Sequence, residues 1–339
     1  MKIYKVGGAV RDSLLGVKSA DNDWVVIGSS PEEMMADGFK PIGKDFPVFL
    51  HPDTNEEYAL ARTEKKSGTG YHGFTFYFGK DVTLEEDLSR RDFTINAIAE
   101  DEEGKIIDPF SGQEDINNKL FRHVSDAFYE DPLRAIRLAR FHTYDHLKSF
   151  NIHNTTINSI NKIVSSGEIE KLSVDRIWSE TARALNSSNP SIYFEKIITL
   201  DLKNPFFKNL SNAWCHTHKN HEVRWAELQI NNNFEIGERL PIPNGYKHAS
   251  EILKNISKID MNINDKDLIL ILIKSNLKRN EELVKKLVML PNLEKTKGFI
   301  LKLMKEVQNT NFSILSSIPK EKVELEKLNI YKNIILKCK

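Results

Sequence analysis

Two textures divide the chain. Over residues 1–125 short apolar runs of strand length recur between glycines, and from about 126 onward helical periodicity dominates. The runs are IYKV (3–6), DWVVI (23–27), FPVFL (46–50), EYALAR (57–62), FTFYF (74–78) and KIID (105–108). Most of the 16 glycines stand among them, notably in GTGYHG at 68–73. Apolar or alternating runs of this length read as strands. Helical patterns fall between them, as in SPEEMMADGF (30–39), where Ser30 and Glu33 make a capping box. Beyond 126, EDPLRAIRLARF (130–141), IEKLSVDRIWSETARALN (169–186) and DKDLILILIKSNLKRNEELVKKLVML (265–290) carry apolar residues at helical spacing. A mixed sheet-and-helix part followed by helix alone predicts an α+β fold with segregated halves.

At 339 residues the chain exceeds one ordinary core, so two or more domains are expected. Lys and Arg total 48, as do Asp and Glu. A polyanionic partner would therefore have to meet a local basic face. The Lys-rich C-terminal third reads first as a solvated face. The chain opens with MKIYKVGGAV, without an apolar signal core, and no stretch approaches 18 consecutive apolar residues, so neither secretion nor a membrane span is expected. Two cysteines, Cys215 and Cys338, make no disulfide framework, which fits a reducing cytoplasm.

Four clusters carry chemistry. In VGGAVRD a strand ends at Val6, Gly7 and Gly8 make a tight turn, and AVRDSLLG reads as a short helix with Arg11 in its first turn. Glycines let a backbone approach a phosphate closely, and a guanidinium can reach its oxygens. In DND, Asp21 and Asp23 lie two apart at the head of the strand DWVVI, so period-2 alternation puts both carboxylates on one face. Such carboxylates repel unless a divalent cation neutralises them, and hard oxygens on a rigid strand suit Mg²⁺. In RRDFTINA (90–97), adjacent arginines and an aspartate make a poor core segment but a good clamp for phosphate and ribose. In EDPLRAIRLARF, Asp131 and Arg134 are three apart and are expected side by side on one helix. Arg134, Arg137 and Arg140 advance by three on a helix whose Leu133, Ile136, Leu138 and Phe141 mark it as packed. Each cluster alone has a bland reading, whether a turn, a solvated loop or a surface ion pair.

In this order and spacing the clusters resemble one family, the class II tRNA nucleotidyltransferases of the DNA polymerase β superfamily, represented in bacteria by CCA-adding enzymes. KIYKVGGAVRDSLLG, DNDWVVIG, DFPVFLHP, EEYALARTEKKSGTGY, VTLEEDLSRRDFTINA, IIDPFSG and EDPLRAIRLARF all look like consecutive signature segments. The likeness is dense over residues 1–145 and continues more weakly through the helix with Arg176 and Trp178. It implies a catalytic head over 1–125, a helical neck over 126–190 that recognises the base, and a helical body and tail over 191–339 that bind tRNA. It also implies template-independent addition of C, C and A to a tRNA 3′ end from CTP and ATP, by a monomer using two metal ions. By the same resemblance Gly7 and Gly8 cradle the triphosphate and Arg11 contacts the nucleotide. Asp21 and Asp23 bind the catalytic Mg²⁺ ions, with Glu57 a further carboxylate nearby. Arg91 and Asp92 handle phosphate and ribose, Asp131 and Arg134 pair with the base edge, and Arg137 and Arg140 complete the pocket.

The chain departs from many bacterial relatives in having no adjacent His-Asp pair, the hallmark of their C-terminal HD phosphohydrolase domain. ERLPIPNGYKHASEIL (238–253) resembles the segment that normally follows that domain, which reads as an excision. The joint WCHTHKNHEVRW (214–225) holds Cys215, His216, His218 and His221, whose spacing matches no standard zinc finger. Bacterial poly(A) polymerase shares the head motifs but usually carries basic extensions. Enzymes adding only CC or only A are nearer competitors, against which the intact 63–78 region and EDPLR speak. A catalytically inactive tRNA-binding protein is the reading from another class. Against it stand Asp21, Asp23, Arg91 and Asp92, all present.

Overall fold

Residues Lys2–Val6 form strand β1, Gly8–Leu14 helix α1 and Asp23–Ile27 strand β2. Helix α2 (Pro31–Ala36) follows, with the expected capping box of Ser30 and Glu33. Then come β3 (Lys40–Ile42), β4 (Val48–Leu50), β5 (Glu57–Leu60), β6 (Thr63–Lys66), β7 (Phe74–Tyr77) and α3 (Leu84–Ser89). A 3₁₀ turn at Thr94–Asn96 leads to β8 (Ala99–Glu100), β9 (Ile106–Ile107), α4 (Gly112–Asn117), β10 (Leu120–Phe121), α5 (Ala127–Glu130) and α6 (Leu133–Phe141). The rest is β11 (Asn151–Ile152), α7 (Asn154–Ser166), α8 (Val174–Leu185), α9 (Pro190–Thr199), α10 (His221–Ile230), α11 (Asn244–Ile256), α12 (Asp265–Ser275), α13 (Glu281–Leu287), α14 (Lys297–Asn309) and α15 (Lys320–Cys338). This is a computed structural model, and it describes residues 1–19, 22–42, 48–66 and 74–339. GTGYHG lies outside the described residues, as do Phe46 and Pro47 of FPVFL.

Seven strands form one mixed sheet in the order β3-β4-β5-β2-β1-β8-β9. Within this sheet β2 and β5 pair in parallel, and the other pairs among the described residues are antiparallel. WVVI (24–27) is a continuous apolar run because β2 is covered on both faces. Val25 packs with Val6, Leu88, Ala97 and Ala99 on one side, while Val26 packs with Met34, Phe39, Phe49 and Leu60 on the other. The first half is thus α+β, as its alternating texture implies.

The chain divides into two compact units, Met1–Glu180 with Thr199–Pro205 and Thr181–Ile198 with Phe206–Lys339. In the first unit Phe93 is fully buried and packs edge-on against Phe121, Phe128 and Phe141, with centroids 5.4–6.0 Å apart. This anchors the segment that follows α3. The second unit is helical, with a core drawn from α10 to α15 that includes Val223, Leu253, Leu272, Leu287, Leu303 and Ile335. The long periodic stretch 265–290 is two helices rather than one. Asn276 takes a left-handed conformation (φ 41°) and ends α12, a role for which asparagine is suited.

Candidate active site

Three segments meet at the C-terminal end of β1. The register sets Val6 beside Asp23 and Asp23 beside Glu57, so the ends of β1, β2 and β5 line up. Gly7 then turns the chain into α1 with φ 74° and ψ −135°. A Cβ there would stand 2.8 Å from Arg91 Nη1 and 3.9 Å from Asp23 Oδ2. Only glycine meets both demands, the positive φ and the close approach.

Helix α3 delivers Arg91. It opens with a capping box of Thr83 and Glu86. Its buried Asp87 accepts from Arg90 Nη2 (3.0 Å), Arg91 Nη2 (3.3 Å) and the backbone N–H of Arg62 (3.2 Å). Burial raises the Asp87 pKa, but the two guanidiniums outweigh it and hold the carboxyl below the usual range. Arg91 Nε is buried and finds no acceptor among the described residues. A guanidinium with Nη1 over a glycine turn and an unsatisfied Nε is a group that an anionic ligand would complete.

Asp23 is exposed at the head of β2. Its neighbours Asn22 and Trp24 both bond Glu56 (2.8 and 3.3 Å). Strand alternation therefore turns Asp23 to the opposite face, toward exposed Glu57, its in-register partner on β5. Asp21 lies outside the described residues. Asp23 and Glu57 supply adjacent hard oxygens suited to a divalent cation, although no cluster of three or more His, Cys, Asp or Glu is found among the described residues.

Asp92 and Arg11 sit deeper. The Asp92 carboxylate is buried and accepts from Arg137 Nε (2.9 Å), Asn96 Nδ2 (2.9 Å) and the N–H of Phe93 (2.9 Å). Burial pushes its pKa up, and Arg137, Asn96 and Arg134 pull it down to about 2. Arg11 is only 3% exposed. It donates through Nε to Asp12 (2.8 Å) and through Nη1 to Asn96 Oδ1 (2.6 Å), and Asp12 also binds His146 Nε2 (3.0 Å).

The expected side-by-side pair of Asp131 and Arg134 is not what forms. Asp131 precedes the helix in an extended conformation (φ −117°, ψ 96°), and α6 begins only after Pro132. The residue before a proline is pushed out of the α region, so the sequence held this signal. The Asp131 carboxylate accepts from Arg176 Nη2 of α8 (2.7 Å) and from the N–H of Leu133 (3.2 Å). Arg134 turns toward the RRD segment and donates to the carbonyls of Arg90 (2.5 Å) and Arg91 (3.3 Å).

Arg137 lies between Asp92 and Glu180. Burial opposes its charge, but the two carboxylates outweigh it and hold its pKa above the usual range. Arg140 is 4% exposed, pairs with Glu180 and the Tyr144 hydroxyl, and lies over the Phe141 ring at 4.3 Å. Asp12, Asp87, Asn96 and Glu180 were not singled out from the sequence. Asp87 and Asn96 flank RRD within one motif. Glu180 shows itself only as a charge beside Ile177 and Trp178 in a packed helix.

In the second unit Cys215 is buried, and its sulfur lies 3.9 Å from the Ser191 hydroxyl. Burial raises its thiol pKa, which disfavours the thiolate a metal would need. His216, the next residue, is exposed.

Residues 3–122 match the family described as "Poly A polymerase head domain", and residues 149–213 match "Probable RNA and SrmB- binding site of polymerase A". The chain is 46% identical to the CCA-adding enzyme of Coxiella burnetii (strain RSA 331 / Henzerling II), over 83% of this chain and 79% of the relative. Among solved structures it resembles the CCA-adding enzyme of Bacillus stearothermophilus in complex with CTP. That match has 25% identity and a TM-score of 0.67, and covers 99% of this chain and 93% of the other. The fold is also shared with the Thermotoga maritima CCA-adding enzyme complexed with tRNA_CCA, at 23% identity and a TM-score of 0.52, over 99% of this chain and 78% of the other.

Proposed function

The chain belongs to the CCA-adding enzymes, and we propose that it completes or repairs the 3′ terminus of tRNA by adding C, C and A from CTP and ATP. The tRNA 3′ hydroxyl attacks the α-phosphorus of the bound nucleotide. The new P–O bond forms as the bond to the β-phosphate breaks, and pyrophosphate leaves. The observation that carries this reading is Arg91, whose Nη1 stands over the Gly7 turn beside Asp23 and whose buried Nε has no acceptor among the described residues.

Gly7 and Gly8 admit the triphosphate close to the backbone, and Arg91 holds its oxygens, oriented by Asp87. Arg11, close to Gly8 on the same turn, contacts the nucleotide. Asp92, held by Arg137, meets the ribose. Asp23 with Glu57, together with Asp21, would hold divalent ions, Mg²⁺ in this reading, which when bound acidify the attacking hydroxyl and neutralise charge on the leaving pyrophosphate. Asp131 accepts from the exocyclic amine shared by cytosine and adenine. Uracil and guanine present a carbonyl there and are rejected. Arg134 donates to ring nitrogen or carbonyl, and Arg137 and Arg140 shape the pocket through their shared partner Glu180.

Residues 1–125 serve as head, 126–190 as neck and 191–339 as tRNA-binding body and tail, with no HD domain and no phosphohydrolase activity. The protein works in the cytoplasm as a monomer. No described helix is long and apolar enough to cross a membrane. Incubating it with tRNAs that end before CCA, in C, and in CC, with labelled CTP or ATP, tests this function. Stepwise extension to CCA, then arrest, is expected. An open-ended A tract would favour the poly(A) polymerase suggested by the head-domain match.

A further inference from the structure

We propose that Asn96 is a positioning residue that locks the phosphate side of the site to the base side. The inference rests on the reading of Arg11 and Asp92 as parts of the nucleotide site. Asn96 closes the 3₁₀ turn Thr94–Asn96 and is 6% exposed. Its Oδ1 accepts from Arg11 Nη1 (2.6 Å), and its Nδ2 donates to Asp92 Oδ1 (2.9 Å). A carboxamide is the group that fits between a cation and an anion in this way, because one carbon carries both an acceptor and a donor. The orientation is forced, since a flipped amide would face Arg11 with N–H and Asp92 with a lone pair.

The two clamped groups reach in different directions. Arg11 rises from α1 directly behind the glycine turn. Asp92 is joined to Arg137 of α6, which continues to Glu180 of α8. The turn that holds Asn96 also touches the glycine turn itself. The Asn96 carbonyl lies 3.9 Å from where a Gly7 Cβ would be, and Gly7 N–H donates to the Ile98 carbonyl (3.2 Å). Phe93, in the core, anchors the turn from the other end. Displacing the Asn96 side chain therefore frees Arg11 and Asp92 to move independently, and a nucleotide that needs both in register loses affinity.

The charged groups around Asn96 are Arg11 and Asp12 of α1, His146 on Asp12, Asp92 itself, Arg134 and Arg137 of α6, and Glu180 of α8. In Asn96→Asp a second carboxyl faces Asp92. When protonated it reproduces the amide pattern, accepting from Arg11 and donating to Asp92. When ionised it repels Asp92.

The test is steady-state addition of CTP to a tRNA ending before CCA, from pH 5 to 9, at a temperature where each variant is folded. The enzymes are wild type, Asn96→Asp, Asn96→Leu, Arg11→Ala and Asp92→Ala. Asn96→Leu is expected to raise KM for CTP roughly tenfold with a smaller change in kcat, the scale of a lost buried hydrogen bond. Asn96→Asp is expected to match wild type at the acidic end and to show KM rising with pH, a profile wild type lacks. That acid rescue keeps the test decisive if the leucine variant does not fold. Wild-type KM in Asn96→Asp at every pH, alongside raised KM in Arg11→Ala and Asp92→Ala, overturns the proposal alone. A fall in kcat at constant KM overturns it too, since it marks a merely structural role. Unchanged KM in Arg11→Ala and Asp92→Ala overturns the nucleotide-contact reading beneath it.

Discussion

At the scale of the residue the site is organised by close approach. Gly7 leaves the space that Arg91 fills, and no side chain could occupy the turn without moving the guanidinium. Gly7→Ala combines the strain of a positive φ with ψ −135°, about 1–3 kcal/mol, with a 2.8 Å clash against Arg91 Nη1. It is expected to cost about 1–3 kcal/mol of stability and to reduce kcat/KM at least 100-fold. Paired thermal denaturation and addition assays check this, and loss of stability without that loss of activity would contradict it. Asp131 makes a different demand, because its carboxylate is already held by Arg176. Asp131→Ala should lose discrimination of CTP and ATP over UTP and GTP by about 10- to 100-fold, equivalent to about 1–3 kcal/mol. Four-nucleotide kcat/KM values measure it, and unchanged selectivity would remove Asp131 from base recognition.

At the scale of the element, α6 is held by charge inside the fold. Arg140 of α6 and Glu180 of α8 are both about 4% exposed and pair with each other, and Arg137 shares Glu180. Removing one partner of a buried pair strands the other's charge. Glu180→Gln should therefore destabilise the protein by about 3–5 kcal/mol, measured by urea unfolding, and Arg140→Met combined with Glu180→Leu should recover part of the loss. Equal stability of Glu180→Gln and wild type would show that the pair does not hold α6. Strand β2 and the α2 cap were legible in the sequence because periodicity and capping act locally. The placement of Asp131 was legible too, through Pro132, but the three-residue spacing pointed the other way. The partners Asp87, Asn96 and Glu180 were not legible. Each is defined by what lies across the fold from it, and no local pattern carries that information.

At the scale of the whole molecule, 48 basic and 48 acidic side chains leave no net attraction for RNA. Grip on tRNA must come from a local basic face, so affinity should fall steeply with salt, by roughly 10³-fold or more between 50 and 200 mM if six or more phosphates are contacted. Filter binding across that range checks it, and a flat response would mean that phosphate contacts do not dominate. The division into compact units also lay beyond sequence patterning, since it falls at Glu180 and Thr181, inside one continuous helix.

The central claim, that Asp23 beside the Gly7 turn carries out nucleotidyl transfer, is tested most directly by single-turnover addition of CTP with Asp23→Ala at saturating tRNA, with tRNA affinity measured in parallel. On this proposal the exposed carboxylate serves chemistry and not RNA grip, so addition should fall at least 1,000-fold, a loss of about 4 kcal/mol of transition-state stabilisation, while tRNA affinity stays within about twofold of wild type. Retention of a tenth of the wild-type rate, or loss of rate that only mirrors loss of tRNA binding, would contradict it.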